Sequence, residues 1–261
     1  MSANGPLHMV RVQVDAGRLV AFAHRARVGR GDEIDEGYAL HALFTALFDG
    51  RSAGWERAAP KPFAVVESGR RIIDVLGYTP HDAAGLLIRV ATVGDSRALG
   101  ICDLETLKSK PMPSRFESGM LLRFSVRLCP VRRVASRPEL RSPRAEIDVF
   151  NLACWDSAEG ASPPEREVVY RDWLRDELER EGGAKLVSAT LRAFRRVKQY
   201  RKRHGTGTAG GAFSEHPDVM FDGVLEVRDA ERFRALLVRG LGRHRAFGYG
   251  MLLLRSVGGR P

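Results

Sequence analysis

An α+β fold follows from three features of the sequence. The order strand, helix, strands occurs twice along 261 residues. Segments that alternate apolar and polar residues, as half-buried strands do, are separated by segments with apolar residues every three or four positions, as amphipathic helices have. The 44% hydrophobic content supports a real core, and a chain of this length makes one large or two small domains.

The elements read in order as follows. Met9–Val14 alternates and reads as a strand. Residues 35–48 read as a helix, with Leu40, Leu43, Phe44, Leu47 and Phe48 on one face and Asp35 placed to cap its N-terminus. Phe63–Glu67, Ile72–Leu76 and Leu86–Thr92 are strand candidates, and residues 106–119, with Lys108, Lys110, Pro111, Pro113 and Gly119, read as a connection. Met120–Leu128 is the clearest strand, followed by Pro130 and an arginine-rich loop. Ser162-Pro163-Pro164 opens a second amphipathic helix over 164–181, around Val168, Val169, Trp173, Leu174 and Leu178. A basic segment, 190–204, runs into a Gly/Thr-rich loop, 205–212. Strand Val224–Val227, a helix over 229–239 capped by Asp229, a glycine loop and strand Tyr249–Leu254 complete the chain. Two βαββ-type units side by side describe two tandem ferredoxin-like (RRM-like) domains, 1–117 and 118–261, the second with a helical or basic insertion.

Composition narrows the function. With 42 Lys+Arg against 32 Asp+Glu, the formal net charge of +10 attracts polyanions. No apolar run approaches the roughly 18 residues of a membrane span, and Met1-Ser-Ala-Asn-Gly-Pro6 carries no signal pattern. A cytoplasmic protein that does not touch membrane is the expectation. Cys102, Cys129 and Cys154 are odd in number and more than twenty positions apart. That spacing predicts neither a zinc site nor a disulfide framework, and Cys129 and Cys154 read as small buried residues. No Walker-A, His-Glu-x-x-His or Gly-x-Ser-x-Gly pattern occurs, and Asp172, Asp176, Glu177 and Glu179 read as solvated helix charges. Any catalysis is expected to run without metal or cofactor.

The stretch 240–254 carries the most chemistry. Gly240, Gly242, Gly248 and Gly250 bracket Arg243-His244-Arg245. Glycine lets backbone amides approach a ligand, successive amides form an anion-binding concavity, and adjacent cations suit a polyphosphate. A tight turn before a last buried strand is the competing reading. From Arg192 to His204 there are seven cations, Arg192, Arg195, Arg196, Lys198, Arg201, Lys202 and Arg203, interleaved with Phe194 and Tyr200 and without one acid. Solvated helices normally mix signs. As a helix the segment presents a cationic face; as a hairpin it puts cations on both sides, and either suits an A-form stem read through shape and phosphate. Arg132, Arg133, Arg137, Arg141 and Arg144 form a second basic region, and Lys108 and Lys110 are further candidates for contact with a nucleic-acid strand.

Phe221-Asp-Gly-Val-Leu-Glu-Val227, Asp229, a helix and the glycine loop form the pattern F-x-G-x-L-x-V-x-D followed by G-[IL]-G-x-x-x-[AS]-x-G-x-G-[LM]-L. This resembles the CasE family, the CRISPR RNA-processing endoribonucleases of the repeat-associated mysterious protein superfamily. Tyr38-Ala-Leu-His41 is similar to the family's catalytic Tyr/His-bearing helix, Leu122–Pro130 with Val131-Arg132-Arg133 to its L-R-F-x-L-x-x-N-P strand, and Trp173-Leu174 to its W-L. The likeness spans roughly residues 36–254. Cys129 stands where the family usually has asparagine, and the basic segment is richer in arginine. Divergent relatives serve type IV CRISPR systems, and the two departures are those expected of such a relative, with arginines taking a larger share of the active site.

The resemblance implies two ferredoxin-like domains that hold the stem-loop of a CRISPR repeat and cut at its 3′ base without metal. The products are a 2′,3′-cyclic phosphate or 3′-phosphate and a 5′-hydroxyl, and many members stay on the mature crRNA as effector-complex subunits. Attack by the RNA's own 2′-hydroxyl needs a base, an acid, cations for the phosphorane and in-line geometry. His41 is the foremost acid–base candidate and Tyr38 shares its helix face one turn away; a histidine packed at a helix edge is the bland alternative. Arg243 and Arg245 offer bidentate phosphate contacts, His244 a second proton-transfer group or a surface phosphate contact, and His24 and Arg25 lie just ahead of the helix. Gly242, Gly248 and Gly250 join the RNA-binding set. Which group is acid stays open. A ferredoxin-like subunit that holds the crRNA hairpin without cutting it is the second reading; a DNA-binding or ribosome-associated protein lacks any helix-turn-helix or zinc pattern.

Overall fold

A computed structural model describes residues 5–29, 33–50, 57–135, 145–158, 160, 162–202 and 211–257, with backbone alone at 201, 202, 211 and 212. The first unit begins with β1 (His8–Asp15), whose alternation buries Val10, Val12 and Val14. Asp15 ends the strand and caps α1 (Ala16–Arg25), accepting the amide of Arg18 at 2.8 Å. This helix gives no separate signal in the sequence because it follows the strand without a loop. α2 (Glu36–Phe44) is capped as expected: Asp35 accepts the Tyr38 amide at 2.9 Å. It continues as a π-turn, Thr45–Asp49, and Leu40, Leu43, Phe44, Leu47 and Phe48 are all buried. β2 (Phe63–Ser68), β3 (Ile72–Thr79), α3 (Ala83–Val93) and β4 (Cys102–Pro111) follow.

Two expectations fail here. Leu86–Thr92 is helical, within α3: Asp82 caps it through the Gly85 amide at 2.8 Å, and Leu86, Arg89 and Val90 bury one face. A short run of β-branched and apolar residues fits either period, and the cap decides. Residues 106–111, expected as connection, form the end of β4, paired to β1 with Lys108 opposite Arg11 and Lys110 opposite Met9. The strands order as β2-β3-β1-β4, all neighbours antiparallel. α1, α2 and α3 cover the face bearing Val10, Val12, Ile73 and Val75.

The second unit repeats the plan: β5 (Leu121–Leu128), a small ribbon of β6 (Val131–Arg133) and β7 (Glu146–Asp148), α4 (Val149–Asp156), α5 (Arg166–Glu179), β8 (Ala184–Lys202), β9 (Gly211–Val227), α6 (Ala230–Arg239) and, after a 3₁₀ turn at Arg245–Phe247, β10 (Leu253–Ser256). The order β10-β5-β9-β8 is that of the first sheet with the same antiparallel sense. Both sheets therefore have the ferredoxin-like arrangement. The expected insertion is the long hairpin of β8 and β9 together with the β6–β7 ribbon and α4. The basic segment takes the hairpin alternative, and Val224–Val227 is the last part of a seventeen-residue strand. The partner strand β8 is hidden in the sequence because its residues Arg192 to Arg196 are exposed on both faces, which leaves no apolar alternation. Tyr249–Leu252 precede β10 rather than belonging to it.

The two units share a core. Leu7, Ala64 and Tyr78 pack with Phe124, Phe221, Phe233 and Leu236 in one buried cluster. Tyr78 Oη donates to the Leu252 carbonyl at 2.8 Å, and α6 packs on β3.

Candidate active site

His41 sits on the half-buried side of α2, lining a groove of about 1150 Å³ with Tyr38, Phe22, Arg25, Thr45 and Arg97. The groove runs among α1, α2 and the end of α3, all within the first unit, rather than between the units. The glycine loop also reaches the ring. Phe247 stacks on Tyr38 with centroids 5.3 Å apart and planes 8° from parallel, and meets His41 edge-on at 5.4 Å. Tyr38 also packs edge-on against Tyr200 of β8 at 5.9 Å. Asp35 ties α2 to β8 as well, since its second oxygen accepts the Tyr200 amide at 2.9 Å.

Close approach of α2 to the loop depends on Gly37. A Cβ there would run into the carbonyl oxygen of Phe247 and stand 3.0 Å from its carbonyl carbon. The other aromatic support comes from Trp173, whose ring fills the space beside Gly242 that a side chain would otherwise take.

Lys61 completes the site, and no motif in the sequence singles it out. The π-turn carries Asp49, whose Oδ1 accepts the amides of Ala58 and Ala59 at 2.7 and 2.9 Å. Lys61 N donates to the Tyr78 carbonyl at 2.8 Å, fixing the segment to β3. Burial, then the charge of Lys61, lowers the His41 pKa below its ordinary value, with Arg57 adding to the effect and Asp49 opposing it. Burial followed by the charges of Arg57 and Arg245 likewise lowers Lys61. Arg245 is lowered by burial and by Arg239 and Arg243. Tyr38 is raised by burial and by Tyr200 and Asp35, so its phenol keeps its proton. A neutral imidazole, a protonated phenol and an ammonium that yields its proton more readily than usual thus share one neighbourhood. The signals available in sequence are slight: Lys61 lies between Pro60 and Pro62, and Phe247 is an aromatic residue of the glycine loop.

The remaining predicted residues fall in several places. Arg25 lines the groove with His41. Arg132, Arg133, Arg243 and Arg245 line a second pocket, of about 430 Å³, with Arg180 and Arg239. Arg243 pairs with Glu146 of β7 at 2.8 Å, and no contact among the described residues joins it to His41. His244 departs from expectation: its side chain is 6% exposed and its Nε2 is 2.8 Å from Glu146 Oε2, so it is not a surface phosphate contact. The glycine loop folds on itself more than an open anion cradle would. The amide of Gly250 donates to the Arg127 carbonyl at 2.8 Å and that of Gly240 to the Leu236 carbonyl at 2.7 Å, while Gly248 is buried beside Phe63. Arg245 and the Gly242 side of the loop are what face the arginine-lined pocket.

Along the hairpin the cations have acidic partners that local sequence does not reveal. Arg192 meets Asp222 at 3.3 Å, Arg196 meets Glu215 at 3.5 Å, and Lys198 meets Glu33 at 3.0 Å. Arg195 and Arg127 clamp Asp218 at 2.6 and 2.7 Å. Burial alone would raise Asp218, but these two guanidinium groups outweigh it and hold its carboxyl below the usual range. The side chains of Arg201 and Lys202, and all of Arg203, Arg137, Arg141 and Arg144, lie outside the described residues. Lys108 and Lys110 are exposed on β4, an edge strand, and no contact among the described residues joins them to the groove.

Fold and site together define a basic protein of paired ferredoxin-like units whose terminal glycine loop closes over a Tyr/His-bearing helix. The profile of the family described as CRISPR associated protein matches residues 7–256. The chain belongs to that family and is CasE-like. It is 27% identical over 174 residues, 64% of this chain and 71% of the relative, to the CRISPR-associated endoribonuclease Cse3 of Thermus thermophilus. Among solved structures, CRISPR endoribonuclease Cse3 bound to a 19-nucleotide RNA shares the fold with a TM-score of 0.62 at 20% identity, covering 96% of this chain and 99% of that one. Thermus thermophilus Cse3 bound to an RNA representing a pre-cleavage complex gives 0.60 at 18% identity, covering 96% and 99%.

Proposed function

We propose that this protein is an endoribonuclease that binds the stem-loop of CRISPR repeat RNA and cuts the precursor by 2′-hydroxyl attack, without a metal ion in the reaction. The observation that carries the reading is the contact of His41 with Phe247 of the glycine-loop turn beside a half-buried groove, where burial and the charge of Lys61 lower the imidazole pKa. The relative named CRISPR-associated endoribonuclease Cse3, and the RNA-bound structures that share the fold, support it. Residues 1–117 and 118–261 are the two domains in this reading.

His41, neutral at physiological pH, takes the proton of the 2′-hydroxyl as the 2′-oxygen attacks phosphorus. The ammonium of Lys61 gives a proton to the departing 5′-oxygen as the P–O5′ bond breaks. Tyr38 donates a hydrogen bond, and Arg25, which lines the same groove, and Arg57 neutralise the phosphorane. A lowered pKa suits both partners: it keeps the base unprotonated and makes the acid a readier donor. The products are a 2′,3′-cyclic phosphate and a 5′-hydroxyl. The hairpin cations and the arginine-lined pocket hold the stem, and retention of product would make the protein a crRNA-bearing subunit of an effector complex, as befits a fold shared at a TM-score of 0.51 with a chain of a CRISPR RNA-guided surveillance complex.

Repeat RNA labelled at its 5′ end and incubated without divalent ions tests this. Cleavage is expected with no added magnesium, and one 2′-deoxy substitution at the scissile nucleotide should abolish it. His41→Ala should retain binding while slowing single-turnover cleavage by ~10²–10⁴-fold, the usual share of acid–base catalysis. Cutting of the deoxy substrate, or an absolute need for magnesium, overturns the mechanism. A wild-type protein that binds the hairpin tightly and never cuts it leaves the non-cleaving subunit as the reading.

A further inference from the structure

Next to Phe247, three residues remote in sequence converge. Cys129 follows the last residue of β5, His216 lies in β9, and His244 heads the 3₁₀ turn of the glycine loop. One donor atom from each, the Cys129 sulfur and a ring nitrogen of each histidine, lies within 4.8 Å of the other two. Cys129 and His216 are 1% and 3% exposed. The two imidazole centroids are 5.2 Å apart.

Each ring has an oxygen partner. His216 Nε2 is 2.7 Å from Ser214 Oγ, and His244 Nε2 is 2.8 Å from Glu146 Oε2. An oxygen on one imidazole nitrogen, a carboxylate above all, is the outer partner that ligating histidines generally have; it sets the tautomer and makes the opposite nitrogen a better donor. Glu146 is in turn held by Arg243 at 2.8 Å and faces Arg133 at 3.5 Å.

We propose that Cys129, His216 and His244 form a site for a thiophilic divalent cation of the first transition row, zinc foremost. One thiolate and two imidazoles match the soft-to-borderline preference of zinc and not that of magnesium or calcium, which take oxygen ligands. Tetrahedral zinc, with bonds of about 2.0–2.3 Å, sets its donors roughly 3.3–3.7 Å apart. Closing from within 4.8 Å takes small rotations of side chains already in place. Three protein donors leave a fourth position for water. With its thiolate the ion adds a single net positive charge, placed next to the Glu146 carboxylate. The sequence offers no zinc spacing because each donor comes from a different element, and a conventional motif search depends on two donors sharing one turn.

Such an ion would strap the end of β5 and the first half of β9 to the glycine loop. His244 has a left-handed backbone, φ 60°, and its ring lies 6.2 Å from that of Phe247, which in turn meets His41 at 5.4 Å. The ion therefore braces the loop that carries Phe247 and takes no part in the cleavage chemistry.

The test is metal binding by the full chain after stripping with a chelator. One equivalent of zinc should bind and raise Tm, and cobalt(II) in its place should give a thiolate-to-cobalt charge-transfer band with the strong visible bands of tetrahedral cobalt. Cys129→Ala should abolish the sulfur band and weaken zinc binding more than ~100-fold; Glu146→Gln, which removes only an outer partner, should weaken it ~10–100-fold. Cys154→Ala should leave both unchanged. A wild-type chain that takes up no zinc, a cobalt spectrum without the sulfur band, or unaltered binding in both Cys129→Ala and His216→Ala overturns the site. None of these readouts involves RNA, so a chain that binds zinc but never cuts, and one that cuts but binds no zinc, separate this inference from the nuclease reading.

Discussion

The ionisation of His41 depends on residues that the sequence places far from it. Burial and then the charge of Lys61 lower its pKa, Arg57 adds to this and Asp49 pulls the other way. A base must be unprotonated, so cleavage should fall as pH drops through this lowered pKa, below the ordinary histidine value of ~6.5. Lys61→Met removes one of the charges that depress it. The acid limb of the single-turnover rate should then move to higher pH, and the plateau should drop because the proton donor is gone. A pH–rate profile that keeps its acid limb in place would show that Lys61 does not act on His41. At the same scale, the Tyr38–His41 pair is legible from its spacing on one helix, whereas Lys61 carries no motif; its role comes from through-space Coulomb interaction and shared burial.

At the scale of elements, Asp35, Asp82 and Asp229 show how much a cap decides. Asp35 and Asp229 mark their helices in the sequence, while α3 reads as a strand unless Asp82 is given its weight as a cap. α2 joins this local logic to the site through Gly37. Alanine normally favours a helix over glycine by about 1 kcal/mol, yet here the added Cβ would meet the backbone of Phe247. Gly37→Ala should therefore destabilise the protein, by ~1–3 kcal/mol if the strain resembles ordinary overpacking, and slow cleavage as Phe247 is displaced; urea midpoints and single-turnover rates check both. The hairpin of β8 and β9 makes the complementary point. Removing the exposed charges of Arg192, Arg196 and Lys198 together should weaken binding of repeat RNA. It should also flatten the salt dependence, by roughly 0.7–0.9 in log–log slope for each phosphate no longer neutralised. Arg195 is left out because its clamp on Asp218 makes its replacement a structural change as well.

Across the whole molecule the two ferredoxin-like units are locked by one buried cluster and by the Tyr78 hydroxyl on the Leu252 carbonyl. Tyr78→Phe strands that carbonyl in the interior and should cost about 1–3 kcal/mol, read as a lower urea midpoint with an unchanged slope. The same lock holds the segment of Lys61 beside the glycine loop, since the Lys61 amide is bonded to the Tyr78 carbonyl. The α+β class, most element types, the α2 cap, the basic character and the glycine loop can all be read along the chain, because periodicity, capping and composition act between near neighbours. Packing in three dimensions settles which cations keep acidic partners, that the Gly240 and Gly250 amides are spent on the backbone, and that His41 shares its surroundings with Lys61 and Phe247. It alone also set Cys129 beside His216 and His244. Field strength, desolvation and coordination all depend on distance in space, and strand pairing and helix packing bring together residues that chain order keeps apart.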